Sequence, residues 1–154
     1  MIVAITGIRD LHPASLPVVR ERMEQLVLAR VKQFRCGGAR GIDVEALRAL
    51  SKLLTEPVER VVYLPFRLSD QPRDAQAIIR RCADRVVEIK LTPVGAAAAY
   101  HARNRFLLEG IRPDQPASQA IAFTDGQQRG GTWNTIRLAR DLGIPVEEVK
   151  VKRL

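Results

Sequence analysis

The sequence predicts an α/β fold, a Rossmann-like three-layer sandwich with a mainly parallel sheet and helices on both faces. Short apolar runs alternate with segments whose apolar residues recur every three or four positions, and this alternation continues along the whole chain. It is typical of βαβ units, in which strands pair in parallel and helices cover the sheet. No linker, repeat or charged block interrupts the 154 residues, so we predict one Rossmann-like domain over residues 1–154.

In the first half of the chain, short apolar runs predict strands, and capping residues mark where helices begin. Ser15 is the expected N-cap of the first helix because its hydroxyl can accept from a free amide, and Pro17 suits the first turn. The predicted elements are a strand at residues 2–6, the helix after Ser15, a strand at 34–36, a helix from about residue 42 that includes Leu53 and Leu54, and a strand at 61–64.

The second half continues the same alternation. Residues 90–99, with Pro93, Gly95 and four alanines, are compatible with either a loop or the start of a helix. The predicted elements are a helix beginning at Pro72, a strand at 85–89, a helix over about 99–109 that ends at Gly110, a strand at 120–123, a helix marked by Ile136, Ala139 and Leu142 and ended by Gly143, and a final strand through Val146, Val149 and Val151.

Composition limits the classes of function. The 25 basic and 17 acidic residues give a formal charge of +8, which favours a nucleic acid or another polyanion as partner, although scattered arginines also fit a compositional bias. No apolar run approaches the roughly 20 residues of a membrane span, and residues 1–5 lack the basic start of a signal peptide, so we expect a cytoplasmic protein with no membrane partner. Cys36 and Cys82 fit no zinc pattern and are expected to be buried thiols, so no metal site is predicted.

Four short motifs follow predicted strands or begin predicted helices, and they therefore belong at the edge where parallel strands end. Backbone amides are free at such junctions, small residues let an anion approach, and arginines supply charge and paired donors. We therefore predict a site for a nucleotide or a nucleotide-derived small molecule, with a bound nucleotide or phosphate as the only expected cofactor. The motifs are ITGIR at 5–9, CGGARGID at 36–43, RNR at 103–105 and GGTWNT at 130–135.

The glycine-rich motif carries most of this prediction. Its glycines lie between a predicted strand and a predicted helix, so a phosphate there would meet several amides. Asp43 follows in the first helical turn, where it can accept from a ribose hydroxyl, hold Arg40, or simply be favoured by the helix dipole. Arg9 can reach a phosphate or stack on a base, or it is a surface residue beside a strand-end turn at Gly7.

The other two motifs also allow a functional and a structural interpretation. Arg103 falls on the apolar face of its predicted helix, which indicates a site or a buried ion pair, whereas Arg105 points elsewhere and is expected in solvent. Thr132 is expected to cap the last helix or to help hold a second phosphate. Trp133 can stack on a base or pack in the core, and His101 is a candidate for lining the site.

No arrangement of nucleophile, acid and base emerges, so no catalytic residue is predicted. The protein is expected to bind its ligand without catalysis, with a nucleic acid as an alternative partner because of the positive charge. The residues predicted to hold the ligand or its phosphate are Gly7, Arg9, Gly37, Gly38, Ala39, Arg40, Gly41, Asp43, Arg103, Asn104, Gly130, Gly131, Thr132 and Thr135.

The four motifs, in this order, resemble the SLOG superfamily of Rossmann-like domains, which includes the DNA-processing DprA (Smf) proteins, the YspA-like domains and the cytokinin-activating LOG enzymes. Residues 6–9 are similar to the family's GSR, residues 37–43 to its GxARGID signature, residues 103–105 to its RNR, and residues 130–132 with 143–146 to the YspA-type GGT and GIPV ending. The resemblance implies this fold and either a nucleotide-related ligand or single-stranded DNA.

The sequence also departs from these relatives in two respects. LOG enzymes carry a catalytic glutamate in PGGxGTxxE, and Thr135 occupies that position here, so phosphoribohydrolase activity on nucleoside monophosphates is not expected. DprA proteins usually carry further small domains, for which 154 residues leave no room, so a full recombination-mediator role is not expected.

A homodimer is expected because SLOG proteins commonly dimerise. The segment 94–110 also carries more apolar surface than one core-facing stripe needs, and its alanines permit close helix approach. A helix fully buried within the monomer is the alternative. The apolar residues concerned are Val94, Ala96–Ala99, Tyr100, Phe106, Leu107 and Leu108.

Overall fold

A computed structural model of the protein describes residues 1–53, 58–89 and 95–154. Strands and helices alternate along these residues, with short 3₁₀ helices at Pro13–Ser15 and Leu68–Asp70. The strands are β1 (Ile2–Gly7), β2 (Gln33–Cys36), β3 (Glu59–Leu64), β4 (Arg85–Glu88), β5 (Gln119–Thr124) and β6 (Val146–Lys150). The α-helices are α1 (Leu16–Leu28), α2 (Ile42–Leu53), α3 (Arg73–Cys82), α4 (Ala96–Glu109) and α5 (Gly130–Asp141).

The six strands form one sheet in the order β4-β3-β2-β1-β5-β6, and every neighbouring pair is parallel. The predicted fold class, a Rossmann-like sandwich with helices on both faces, is therefore confirmed. The chain builds outwards from β1 to β4 on one side and then returns to add β5 and β6 on the other. In open α/β sheets a crevice opens at such a reversal, outside the carboxyl ends of the strands, and ligands bind there. Here the reversal lies between β1 and β5.

Each face of the sheet is covered by its own group of helices. α1, α2 and α3 pack on one face, and α4 and α5 on the other, where Leu107 and Leu108 meet Val61 and Tyr63. Cys36 and Cys82 are buried free thiols in the first core, as predicted. Within the described residues, no helix combines the length and the apolar character that crossing a bilayer requires.

Two helices begin earlier than the sequence predicted. α4 begins at Ala96 because a run of alanines, the residue with the highest helix propensity, follows Gly95. α5 begins at Gly130, so the glycine pair forms its first turn instead of preceding it. Arg129 takes the N-cap position, and the prediction that Thr132 caps this helix is wrong.

The start of α1 lacks the capping hydrogen bond that the sequence predicted for Ser15. Ser15 is at the N-cap, but its side chain makes no capping bond; its Oγ accepts from the backbone amide of Lys152 at 2.8 Å. The hydroxyl therefore ties the carboxyl-terminal segment to the start of this helix. Predictions that involve Leu54, Val94 and the rest of residues 90–94 lie outside the described residues.

Candidate ligand-binding cleft

An open cleft of about 450 Å³ lies at the carboxyl ends of β1 and β5, where the strand order reverses. This volume falls within the roughly 300–1,000 Å³ of small-molecule sites. The cleft is bounded by the loop after β1, the first turns of α4 and α5, and the carboxyl-terminal segment. Of the predicted site residues, those that line it are Gly7, Arg9, Ala39, Asp43, Arg103, Asn104, Gly130, Gly131, Thr132 and Thr135. Those that do not are Gly37, Gly38, Arg40 and Gly41.

Two amides of the glycine-rich segment are occupied by the protein itself. Oδ2 of Asp43 accepts from the backbone amides of Gly37 and Ala39, each at 3.1 Å. This carboxylate therefore sits where the sequence placed a phosphate. Asp43 lies in the first turn of α2, as the helix-dipole interpretation requires, but none of the three interpretations predicts its bonds to these amides.

The glycines of this segment are required by close packing. A side chain at Gly37 would overlap the guanidinium of Arg103, whose Nη1 donates to the Gly37 carbonyl at 2.6 Å. Gly41 has φ of +80°, and a Cβ there would overlap the carbonyls of Ile8 and Arg9. The amide of Ile42 donates to the Ile8 carbonyl at 3.2 Å, so the start of α2 is held against the loop after β1.

Arg103 and Asp43 are both buried beside the cleft, where the charge of each acts on the other. Arg103 is 7% exposed and also donates from Nε to Oδ1 of Asn104 at 2.9 Å. Burial raises the pKa of the Asp43 carboxyl to about 6, because desolvation outweighs the opposing effects of Arg103 and the two amides. Burial also lowers the pKa of Arg103, and the charge of Asp43 opposes that change. Arg103 therefore joins α4 to the loop after β2 through the Gly37 carbonyl, and the partners of its hydrogen bonds are a carbonyl and an amide oxygen, not a carboxylate.

The two other predicted arginines have different surroundings. Arg9 is exposed and lines the cleft, and its guanidinium carbon lies 5.3 Å from the centroid of the Tyr100 ring. No salt bridge among the described residues involves Arg9. Arg40 lies outside the cleft, and its Nη2 is 3.4 Å from Oδ1 of Asp74 on α3, with both side chains mostly exposed. Arg9 is thus the better placed of the two to meet a ligand in the cleft.

The first turn of α5 opens into the cleft. Gly130 and Gly131 are exposed, and a Cβ at either would meet nothing within 4 Å. Arg129 at the N-cap makes no side-chain capping bond. The first amides of a helix have no acceptor within it, and the helix dipole makes this end electropositive. This end of α5 is therefore an accessible group of donors.

The residues of α5 that follow its first turn pack against the protein. Thr135 is 1% exposed, and its Oγ1 donates to the Gly131 carbonyl at 3.0 Å. Trp133 is half-buried, does not line the cleft, and has Arg140 over its ring at 5.8 Å. His101 does line the cleft. Arg105, as expected, is exposed and pairs with Glu109 one turn later.

Several residues that line the cleft were not predicted. Tyr100 was considered only as apolar surface, although it lies one turn before Arg103 on the same side of α4, and that spacing would have indicated it. Arg153 reaches the cleft because it pairs with Leu11 in an isolated antiparallel bridge, and no local sequence pattern indicates this pairing. It is neutralised there by Asp125 at 2.7 Å and Asp10 at 3.5 Å. Thr124 and Arg129 also line the cleft.

No metal-binding group of three or more His, Cys, Asp or Glu side chains occurs in residues 1–53, 58–89 and 95–154. Backbone amides, several guanidinium groups and one imidazole are among the donors around the cleft, and these suit an anion. Of the carboxylates, Asp125 and Asp10 pair with Arg153, whereas Oδ1 of Asp43 is buried and has no partner among the described residues.

No protein-family model matches this chain, and no curated protein matches it in sequence. Among solved structures, the DNA processing protein A (DprA) of Helicobacter pylori, described for its single-stranded DNA binding mode, superposes with a TM-score of 0.71 at 22% identity. The chain is covered completely and spans 66% of that protein. DprA of Streptococcus pneumoniae gives a TM-score of 0.70 at 19% identity, over 95% of this chain and 49% of that one.

A molybdenum cofactor carrier protein of Chlamydomonas reinhardtii also shares the fold, with a TM-score of 0.60 at 19% identity over 96% of this chain and 75% of that protein. The chain thus spans about two thirds and one half of the two DprA proteins. At these identities the similarity is one of fold. It agrees with the fold that the four motifs implied by their resemblance to DprA-like domains.

Proposed function

We propose that this protein binds a nucleotide, or a nucleotide-derived phosphorylated ligand, in the cleft at the ends of β1 and β5, without catalysing a reaction. The observation that carries the proposal is the uncapped, glycine-opened start of α5, which lies in the same cleft as the exposed Arg9. Such a helix end holds a phosphate through backbone donors and the helix dipole. The phosphate is assigned to Gly130, Gly131 and Thr132, because Asp43 occupies two amides of the glycine-rich segment.

The contacts in the cleft argue for binding rather than hydrolysis. A LOG-type reaction needs a carboxylate where this chain has Thr135, and that hydroxyl is buried and donates to Gly131. The carboxylates of the cleft have protein partners: Oδ2 of Asp43 accepts from the amides of its own loop, and Asp125 and Asp10 pair with Arg153. Oδ1 of Asp43 has no partner among the described residues, but it is buried, whereas a general acid or base has to reach the proton that it exchanges with the substrate.

Calorimetric titration with adenosine 5′-monophosphate tests the proposal. Arg9→Ala removes a charged donor from the cleft and is expected to weaken binding roughly 10- to 100-fold, the typical effect of one hydrogen bond to a charged group. Arg40→Ala is the matched control, because Arg40 is also exposed but lies outside the cleft. Absence of binding by the wild type, or an equal loss in both variants, would contradict the proposal.

Single-stranded DNA is the second candidate ligand. It is favoured by the formal charge of +8 and by the shared fold with the H. pylori DprA, which is described for its single-stranded DNA binding mode. Binding through phosphate contacts releases counterions, so affinity for an oligonucleotide should fall steeply as salt increases. Fluorescence anisotropy with a labelled oligonucleotide measures this; affinity that ignores salt, or no binding at low salt, rejects it.

We further propose that the protein forms a homodimer through the first turn of α4. Ala96–Ala98 are exposed there, whereas Leu107 and Leu108 are buried in the core of the monomer. The surface open to a second copy is therefore smaller than the whole segment 94–110. Ala97 also lines the cleft, so a second copy at this position would lie beside the bound ligand.

A further inference from the structure

Two aromatic side chains meet at the sheet edge where Arg9 lies. Phe66 follows β3 and is 38% exposed, which is unusual for a large apolar ring. Its ring and that of Tyr100 are 6.0 Å apart between centroids and nearly perpendicular, at 89°. Tyr100 is half-buried and lines the cleft. The edge-to-face contact joins β3 to α4 and presents an aromatic surface at the ligand site.

The Tyr100 ring is also held by two guanidinium groups. The guanidinium carbon of Arg9 lies 5.3 Å from the ring centroid and that of Arg103 lies 5.5 Å from it. Arg103 is buried and fixed by its bond to the Gly37 carbonyl, so it anchors the ring from inside the protein. Arg9 is exposed, so part of its planar surface stays open to a ligand.

We propose that Tyr100 and Arg9, supported by Phe66, form the wall on which an aromatic base of the ligand stacks. This rests on the proposed function, which places the phosphate at the start of α5, and it adds that the ligand carries a base. Aromatic rings and weakly hydrated guanidinium planes are the surfaces on which bases stack in nucleotide and nucleic-acid sites. A phosphorylated sugar without a base would leave this wall unused.

The wall and the start of α5 lie on different sides of the same cleft. Trp133, the aromatic residue of the GGTWNT motif, lies outside the cleft, whereas Tyr100 lines it together with the amides of Gly130 and Gly131. A nucleotide spanning the cleft would therefore have its phosphate at α5 and its base at α4. The same geometry keeps Arg9 oriented over Tyr100, so one side chain serves both the base and the electrostatics of the cleft.

The experiment compares adenosine 5′-monophosphate with ribose 5-phosphate by calorimetry, in the wild type and in two variants of Tyr100. Stacking of one base is expected to make the nucleotide bind roughly 5- to 100-fold more tightly than the sugar phosphate. Tyr100→Leu should abolish that preference while ribose 5-phosphate still binds, because the phosphate donors at the start of α5 remain. Tyr100→Phe keeps the ring and should retain most of the preference, together with the loss of adenine absorbance that stacking causes.

Phe66→Ala provides a second variant, at a side chain that is 38% exposed and lies behind the wall. It should lower the preference for the nucleotide by a smaller factor. Equal affinity of the wild type for both probes, or loss of both probes together in Tyr100→Leu, overturns the stacking wall while the phosphate site stands. If neither probe binds the wild type, the proposed function fails and the wall with it.

Discussion

At the scale of single residues, the two carboxylate oxygens of Asp43 have different environments, and this has a measurable consequence. Oδ2 accepts from two amides, whereas Oδ1 is buried without a partner among the described residues. Burial raises the pKa from 3.8 to about 6, so the folded protein favours the protonated carboxyl. Its contribution to stability is therefore fully present below about pH 4 and is lost as the pH rises through 6.

Asp43→Asn keeps one oxygen to accept from the amides of Gly37 and Ala39, but its side chain does not titrate. Relative to this variant, the free energy of unfolding of the wild type should fall by about 2 kcal/mol between pH 4 and 7, since each pKa unit corresponds to about 1.4 kcal/mol and the unfolded carboxyl is already partly ionised at pH 4. Urea denaturation of both proteins across this range measures it. Parallel pH profiles would show that the carboxyl is not buried as described.

Gly37 gives a second prediction at this scale. In Gly37→Ala the new methyl group would overlap the guanidinium of Arg103, so we expect a loss of roughly 1–3 kcal/mol in the free energy of unfolding. Gly131→Ala is the matched control, because a Cβ there meets nothing within 4 Å and alanine is favoured in a helix. Chemical denaturation of the two variants should separate them, and equal stability would contradict the close contact at Gly37.

The residues of the site could be predicted in part from the sequence. Motifs that follow strands of a parallel sheet must reach the same edge, so Arg9, Asn104 and Gly130 were correctly predicted to lie together. The roles of Asp43 and Arg103 could not be assigned, because each depends on one contact across the fold that spacing along the chain does not encode. The same holds for Arg153, which tertiary pairing with Leu11 brings in.

At the scale of elements, a polar network ties the loop after α4 to the starts of the strands. Arg85 on β4 donates to both oxygens of Asp114, at 2.9 and 3.0 Å, and to Glu59 at 2.9 Å. The fully buried Tyr63 donates its hydroxyl to Asp114 at 2.9 Å. Arg35, also fully buried, donates to the carbonyl of Gln115 in the same loop. The network lies away from the cleft and holds α4 and β5 in place beneath it.

Asp114→Ala should therefore be strongly destabilising. It removes the bidentate partner of Arg85 and leaves the Tyr63 hydroxyl without its acceptor, so we expect a loss of roughly 2–3 kcal/mol in the free energy of unfolding. Arg105→Ala breaks only the exposed pair with Glu109 and should cost less than about 0.5 kcal/mol. Urea denaturation compares the two, and similar losses would show that the network contributes no more than a surface pair.

The order and type of the elements follow from periodicity, but their ends do not. Each predicted strand and helix has a counterpart in the described residues because the core-facing apolar residues keep their period. The start of α5 was placed too late because glycine disfavours helix, a preference that matters little in a first turn whose amides need no partner within the helix. The start of α4 is ambiguous in the sequence because Pro93 and Gly95 favour a loop, whereas the alanines favour a helix.

At the scale of the whole molecule, the strand order could not be predicted. Alternation predicts a parallel sheet, yet the side of β1 on which β5 is added depends on the direction of one crossover, and a single sequence does not reveal it. That crossover determines where the cleft lies. The sequence predicted that the site lies at the carboxyl ends of the strands, but only the structure shows that it lies between β1 and β5.

Assembly is also a prediction at this scale. If the exposed first turn of α4 pairs with that of a second copy, a twofold contact forms and the particle has about twice the 17.2 kDa chain mass. Light scattering at micromolar concentration measures the mass, and Ala97→Glu should shift it towards the monomer, because two like charges would meet at the contact. A monomer that persists at high concentration contradicts the dimer.

We propose that the ligand's phosphate lies at the start of α5 and not on the glycine-rich segment. Titration of ¹⁵N-labelled protein with adenosine 5′-monophosphate, followed by amide chemical shifts, distinguishes the two positions. We expect the largest shifts at Gly130, Gly131 and Thr132, while the amides of Gly37 and Ala39, which already donate to Asp43, change little. Largest shifts at Gly37 and Ala39, or no shifts at α5 in a protein that binds the nucleotide, would contradict it.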